Sequence, residues 1–401
     1  MLRRVFKAFH YRDFRLVWIG AFTSSVGTWM QQVAQGWLIY RLSHSPFLLA
    51  LDPVLATLPM FLFSLIGGVV ADRVERQRIL IVSQYIQMIC AFLLTILVGT
   101  GVVQVWQILT CSLIAGFGPA FGGPAYSALI PTLVDKEDMP NAIALNSIQF
   151  NAAVMLGPAF SAGVLAKLGE TWCFGLNGVS FLAPIIALSL LKVRFLPAKT
   201  TETVLGSMKE GIRFIRGQRA MQGLIILAFL MTFLFIPMRT FLPVFAKDVF
   251  HRGPATFAMF VSVSGMGSIV GALTIAALGN MRRKGRVTLA MMAVLGCSAA
   301  VFAGSRSLPM SFGALFVSGA AMMAVFASVT SLVQLIVTNE MRGRVMSVYN
   351  LAFRGGMTAG NLASGWLVPV FTAPMVVVVN GLLLIALAGY FALTQRRVAA
   401  L

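Results

Sequence analysis

Long apolar runs alternate with short polar breaks along the whole chain. They fall at about 14–42, 46–71, 79–100, 103–130, 141–168 and 171–192, and again at 219–247, 254–280, 285–304, 308–337, 344–369 and 373–395. Each reaches the roughly 18–20 residues that a helix needs to cross a bilayer. The pattern predicts an all-α polytopic membrane protein with twelve transmembrane helices. The first run is too long for a signal-peptide core and no small-residue cleavage site follows it, so it reads as a retained first span. The long polar interruption is 193–218. Its second half, VLGSMKEGIRFIRG, puts Val204, Leu205, Met208, Ile212 and Ile215 on one helical face, with Lys209, Arg213 and Arg216 around it. That is the pattern of a helix lying along a membrane surface. The expected organisation is a six-helix bundle over 1–192, a linker with an amphipathic helix over 193–218, and a second six-helix bundle over 219–401.

Composition agrees: 58% of the 401 residues are hydrophobic and 11% charged, where a soluble domain carries about 25% charged residues. The net charge of +19 would suggest a nucleic-acid partner, but its placement changes that reading. Arg41, Lys167, Lys247, Arg252 and Arg306 fall on one face of the span map, and Arg239 and Arg354 lie inside spans. Every other Lys and Arg collects on the opposite face. Basic residues mark the cytoplasmic side. The charge therefore orients a multi-pass protein of the inner (plasma) membrane, with both termini cytoplasmic, and no nucleic acid is expected. The expected partners are the lipid bilayer, a small-molecule substrate and protons, and the expected state is a monomer.

Cys90, Cys111, Cys173 and Cys297 are scattered through apolar runs without a Cys-x-x-Cys spacing, and the three histidines sit near span ends. No metal and no cofactor are expected. No Lys follows a Gly, so a phosphate-binding loop of the Gly-Lys-Ser/Thr kind is missing. Neither a nucleotide-driven pump nor an enzyme is expected.

The two halves echo each other. VERQR between the second and third runs corresponds to RRKGR between the eighth and ninth. DMPNAIALNS, from Asp138, aligns with MRGRVMSVYN, from Met341, at an offset of 203. Paired halves with similar charge placement suggest a repeat architecture, with the substrate site between the halves near mid-membrane.

The loop GGVVADRVERQRIL, Gly67–Leu80, sets Asp72, Arg73, Glu75, Arg76 and Arg78 behind two glycines. The glycines allow close packing at a tight turn. The carboxylate suits the positive N-terminus of a neighbouring helix, where it could hold two bundles together and release them. The same charges also fit a purely topogenic cluster. Gly68-x-x-x-Asp72-Arg73-x-x-Arg76 resembles the loop signature of the major facilitator superfamily, with Glu75 where Gly is usual and Gln77 where Arg or Lys is usual. FRLVWIGAFTSSVGTWMQQVAQGWLIYRL, the Gly116–Leu145 stretch and RGRVMSVYN resemble the branch of enterobactin exporters and transmembrane secretion effectors. The resemblance implies a contact from Asp72 to the start of the eleventh span, near Arg344. It also implies a cavity lined by spans one, four, seven and ten. Leu156-Gly157-Pro158-x-x-x-x-Gly163 is similar to the Gly-Pro kink of proton-driven antiporters, although Ala144 and Ala153 stand where that pattern has Gly, and Val154 where relatives often have Arg.

Ionisable residues inside spans are costly and mark function. Asp52 and Arg239 sit at similar depth in spans two and seven, and Arg354 near the middle of span eleven. Asp52 and Arg239 form either a static ion pair or a proton switch. The candidate substrate surface comprises Trp29, Gln31, Gln35, Tyr126, Gln149, Asn151, Gln334, Asn350 and Arg354, beside Gln32, Trp37, Ser127, Asn146, Tyr349 and Asn361. The expected function is proton-coupled export of an amphipathic small molecule, siderophore or drug-like, by alternating access. The alternative is a lysophospholipid or lipid translocator on the same fold, in which Arg239 binds phosphate.

Overall fold

The computed structural model describes residues 6–191, 204–278, 284–338 and 341–394, apart from the side chains of 64–73, 204–209, 276 and 278. After a short 3-10 turn at Lys7–His10, thirteen helices follow in chain order. They are α1 (Arg12–Ser43), α2 (Pro46–Arg73), α3 (Arg76–Gly99), α4 (Val105–Leu129), α5 (Met139–Lys167) and α6 (Glu170–Ser189), then α7 (Val204–Gly217) and α8 (Arg219–Thr240). Then come α9 (Pro254–Leu278), α10 (Lys284–Gly304), α11 (Leu308–Ile336), α12 (Arg342–Phe371) and α13 (Ala373–Thr394). Helix α6 is interrupted at Phe181. Helix α8 runs on through Leu242–Val244 into a π turn at Phe245–Val249. The break at Phe181 was not visible in the apolar pattern, whereas the π turn falls where Lys247 and Asp248 end the run.

Among the described residues, ten of these helices are long and apolar enough to cross a membrane. Helices α1 and α12 have the length but not the hydropathy. Their polar content explains this: α1 carries Gln31, Gln32 and Gln35, and α12 carries Asn350, Arg354 and Asn361. The amphipathic segment forms α7, where Ile215 is buried but Ile212 is 38% exposed.

The chain divides into two compact units. One comprises residues 1–44 and 52–201, the other 45–51 and 202–401. In the first unit α1 packs against α5 and α6, and α3 against α4 and α6. Helix α2 meets α4 where Gly116 lies under the Ala56 carbonyl. The second unit repeats this order. Helix α8 packs against α12 and α13, α10 against α11 and α13, and α9 against α11. Glycine makes the closest approaches possible. A Cβ on Gly157 of α5 would stand 2.5 Å from Cβ of Trp29 and 2.8 Å from the Val26 carbonyl oxygen on α1. On α12, a Cβ on Gly360 would press on the Phe233 backbone of α8. Within a membrane, such small-residue contacts are what bring helix backbones together.

In each unit the first long helix is preceded by a segment clipped to another helix start. Lys7 Nζ lies 2.8 Å from Asp138 Oδ1. Tyr11 Oη donates to Asp135 Oδ2 at 2.9 Å and Asp138 Oδ2 at 3.0 Å, and the Ala8 amide donates to Asn141 Oδ1 at 2.9 Å. In the second unit Glu210 of α7 pairs with Arg344 of α12.

Candidate functional site

Gln31 and Gln35 stand one turn apart on α1 and so share a face. Gln31 Nε2 donates to Gln35 Oε1 at 3.3 Å. Gln35 Nε2 donates in turn to Asp52 of α2, 2.8 Å from Oδ1 and 3.0 Å from Oδ2. Ser112 of α4 closes the other side. Its Oγ lies 2.5 Å from Asp52 Oδ1, 2.9 Å from Gln35 Nε2 and 3.1 Å from the Ile108 carbonyl oxygen. Behind Gln31, Asn177 of α6 donates from Nδ2 to Gln31 Oε1 at 2.7 Å. Ser180 Oγ is 3.1 Å from Asn177 Oδ1.

Four helices thus contribute to one chain of side chains that ends at a carboxylate. Its direction follows from chemistry. An ionised carboxylate only accepts hydrogen bonds. Gln35 must therefore present its NH2 to Asp52, which leaves its oxygen for Gln31. Gln31 then presents its own oxygen to Asn177. A carboxylate taken out of water is expensive unless it is hydrogen-bonded, and bonds to a charged group recover about 1.5–3 kcal/mol each. In the first unit Asp52 meets neutral donors. Its anticipated pairing with Arg239 would join the two units and belongs to the proposal below.

Other predicted residues are placed separately. Tyr126 Oη donates to Asn146 Oδ1 at 2.9 Å, joining α4 to α5. Gln149 is buried and donates to Ser25 Oγ at 3.0 Å, and Asn151 Nδ2 returns to the Ser147 carbonyl of its own helix at 2.8 Å. Trp29 packs edge-on to Phe150, with centroids 6.2 Å apart. In the second unit Gln334, Asn350 and Arg354 are exposed and Arg239 is half-buried. Among the described residues neither arginine meets an acid within that unit. Tyr349 is buried, its hydroxyl 3.0 Å from Thr330 Oγ1, and Thr240 donates to Asn361 Oδ1 at 2.9 Å.

Of the loop signature, the side chains of Gly68, Asp72 and Arg73 lie outside the described residues. Arg76 Nη1 donates to the Ala128 carbonyl at 3.3 Å and Gln77 Nε2 to the Leu188 carbonyl at 2.6 Å, tying the start of α3 to α4 and α6. In the Gly-Pro segment, Gly157 is packed tightly, as above, and Pro158 is buried, whereas a Cβ on Gly163 would meet nothing within 4 Å. Cys90 and Cys111, read as scattered, meet as free thiols across α3 and α4. Sequence reasoning missed Ser112, Asn177 and Ser180. The one available signal was the Asn177/Ser180 spacing of three in an apolar run.

The family profile described as transmembrane secretion effector matches residues 5–400. Macrolide efflux protein A of Streptococcus pyogenes is 24% identical over 363 residues, covering 88% of each chain. Enterobactin exporter EntS of Shigella boydii is 26% identical over 291 residues, covering 72% of this chain and 68% of that protein. A crystal structure of a POT family transporter in complex with a thioalcohol-conjugated peptide superposes with a TM-score of 0.78 at 11% identity, covering 96% of both chains.

Proposed function

This chain belongs to the transmembrane secretion effector family of the major facilitator superfamily, and from that premise we propose that it is a proton-coupled exporter of an amphipathic small molecule. The reading counts α1 and α12 with the ten apolar helices as twelve spans, arranged as two six-helix bundles that work by alternating access. It sets both termini and α7 on the cytoplasmic side of the bacterial inner membrane, where their basic residues belong. Relatives named for macrolide, multidrug and enterobactin efflux support the export direction. The substrate class proposed is a bulky, largely apolar molecule with a few polar groups.

The observation that carries the coupling role is Asp52, an acid inside an apolar helix whose hydrogen bonds in its own unit come from neutral groups, Gln35 and Ser112. An antiporter needs one group whose proton affinity differs between its two access states. A carboxylate held by neutral donors can be altered by a cation that approaches in one state and leaves in the other. Arg239 is the proposed cation, and the exposed Gln334, Asn350 and Arg354 are the proposed substrate contacts of the second unit.

The test is flux of a macrolide, a lipophilic dye and a catecholate siderophore in proteoliposomes, with and without an imposed pH gradient. Asp52→Asn is expected to abolish gradient-driven accumulation of whichever probe the wild type moves, while leaving passive exchange. Uphill transport by Asp52→Asn at the wild-type rate would refute the coupling role. Wild-type flux that ignores the gradient and favours lysophospholipid would replace export with lipid translocation, in which Arg239 holds the phosphate.

A further inference from the structure

The hydrogen bonds of Asp52 are not equivalent. On the Gln35 side their direction is locked. Ser180 Oγ has a single hydrogen, shared between the Asn177 main-chain carbonyl at 2.7 Å and Asn177 Oδ1 at 3.1 Å. Asn177, Gln31 and Gln35 each give a nitrogen to the next oxygen. For Gln35 to turn its oxygen toward a protonated Asp52, it would face Gln31 with nitrogen against nitrogen. Gln31 and Asn177 would have to turn as well. Asn177 is 2% exposed, and a Cβ on Gly27 of α1 would press on its Oδ1, so there is little room for rotation.

Ser112 is free of that constraint. Its hydroxyl lies 2.5 Å from Asp52 Oδ1 and 3.1 Å from the Ile108 carbonyl oxygen one turn earlier on α4. A hydroxyl carries one hydrogen and two lone pairs. It can give its hydrogen to Asp52 while Asp52 is ionised. When Asp52 has a proton, it can accept from that proton and swing its own hydrogen to Ile108. A serine that bonds the carbonyl four residues back costs little within a helix.

We propose that Ser112 is the positioning residue of the proton switch: its hydroxyl reverses direction between Asp52 and the Ile108 carbonyl, keeping Asp52 hydrogen-bonded both with and without a proton. In the step one O–H bond of a hydronium ion breaks, one O–H bond forms at Asp52 Oδ1, the Ser112 O–H rotates toward Ile108, and no bond between heavy atoms changes. The groups facing Asp52 in its unit are Gln35 from α1 and Ser112 from α4, and neither titrates. Cys111, beside Ser112, is turned to Cys90 of α3. The inference rests on the coupling role proposed for Asp52.

The experiment is infrared difference spectroscopy of the purified full chain in lipid, stepped between acid and neutral pH. The Asp52 carboxyl band is identified by its loss in Asp52→Asn. In wild type the protonated C=O stretch should report an O–H that donates a hydrogen bond. In Ser112→Ala it should move to the higher frequency of a non-donating carboxyl, and Ser112→Thr, which keeps the hydroxyl and the Ile108 acceptor, should restore it. Gradient-driven flux should fall roughly tenfold in Ser112→Ala, about one charge-assisted hydrogen bond at the lower end of its range. An unmoved band in Ser112→Ala overturns the switch while leaving Asp52 as the proton carrier. Failure of Ser112→Thr to restore a band lost in Ser112→Ala also overturns it. A wild-type protein with no Asp52 carboxyl band at any pH overturns the coupling role and the switch together.

Discussion

Moving 203 residues along the chain leads from Gly116 to Gly319 and from Gly157 to Gly360, and at all four a Cβ would collide with a neighbouring helix. The same step leads from Lys7 to Glu210 and from Asn141 to Arg344. Both units thus join the leading segment to the helix start, but through different pairs: Lys7 meets Asp138, whose counterpart is Met341, and Asn141 accepts from the Ala8 amide, whereas Glu210 meets Arg344 directly. It leads from Asn146 to Tyr349, each bonded to the preceding helix, by Tyr126 in one unit and Thr330 in the other. It also leads from Asn151, bonded to its own helix, to the exposed Arg354. Where two backbones touch, the repeat keeps the residue. Where a side chain joins two helices, it keeps the joint and changes the atoms. Where nothing has to be joined, it changes the chemistry altogether. The interiors diverge in the same sense: the first unit holds a polar chain ending at Asp52, whereas the second packs Phe245, Phe260, Phe302 and Phe312 ring against ring.

The sharpest way to break this comparison is to exchange the chemistry that differs. Arg354→Asn makes the second unit resemble the first at that position. It should weaken substrate binding severalfold and leave the ratio of protons to substrate unchanged, whereas Asp52→Asn should remove uphill flux. Loss of coupling in Arg354→Asn would show that the proton function extends beyond Asp52 and Arg239. The measurement is the reversal potential of flux in proteoliposomes.

The glycines should respond alike. Gly157→Leu and Gly360→Leu each force a side chain into a neighbouring backbone, and overpacking of that kind costs about 1–3 kcal/mol. Both should lower the thermal stability of the purified protein by similar amounts. Gly163→Leu, at the open position of the same segment, should not. A stable Gly360→Leu beside an unstable Gly157→Leu would mean that the shared pairing order hides a looser second unit.

These contrasts show what could be read without coordinates. The long helices follow from runs of apolar residues, because the bilayer imposes one length and backbone satisfaction imposes one conformation. Asp52 was legible because a carboxylate in such a run has few reasons to be there. Ser112 and Asn177 were not, because small polar residues are common in apolar helices and only the rotation of α4 and α6 about their axes turns Ser112 toward Asp52 and Asn177 toward Gln31. The same limit applies to Gln35 and Gln149. Their type suggested a substrate surface, yet both are buried and bonded to other side chains.

A smaller effect distinguishes the two hydroxyl joints. Tyr126→Phe leaves Asn146 Oδ1 without its donor. Tyr349→Phe leaves Thr330 still bonded to the Phe326 carbonyl at 2.8 Å. The first should cost about 1–2 kcal/mol and the second about 1 kcal/mol or less, since an orphaned polar group costs more than a lost bond. Thermal unfolding of the two variants side by side measures the difference, and an equal loss would mean that Asn146 finds another partner.

The smallest effect expected is at the clips, which hold surface segments. Asp138 is kept below the usual carboxylate range, first by the Lys7 ammonium and then by the Tyr11 hydroxyl. A carboxylate lowered on folding contributes stability above its unfolded value, near pH 4, and loses it as pH falls through the folded value. Tyr11 is pushed up to about 12, chiefly by its bond to Asp135, and Lys7 is raised by Asp138. Groups raised on folding contribute below their unfolded values, near pH 10, and lose that contribution as pH rises further. The first clip should therefore stay closed between about pH 4 and pH 10. Lys7 is 56% exposed, so added salt should loosen the clip within that window. Hydrogen exchange of the segment Phe6–Tyr11, corrected for the intrinsic rate at each pH, should show flat protection across the window and a loss below it. Asp138→Asn should remove the acid step and lower protection throughout. If Asp138→Asn leaves protection unchanged within the window, the segment is held by the burial of Ala8 and Phe14 in the apolar cluster with Leu129 and Leu145, and the charges of the clip have no bearing on how tightly it is held.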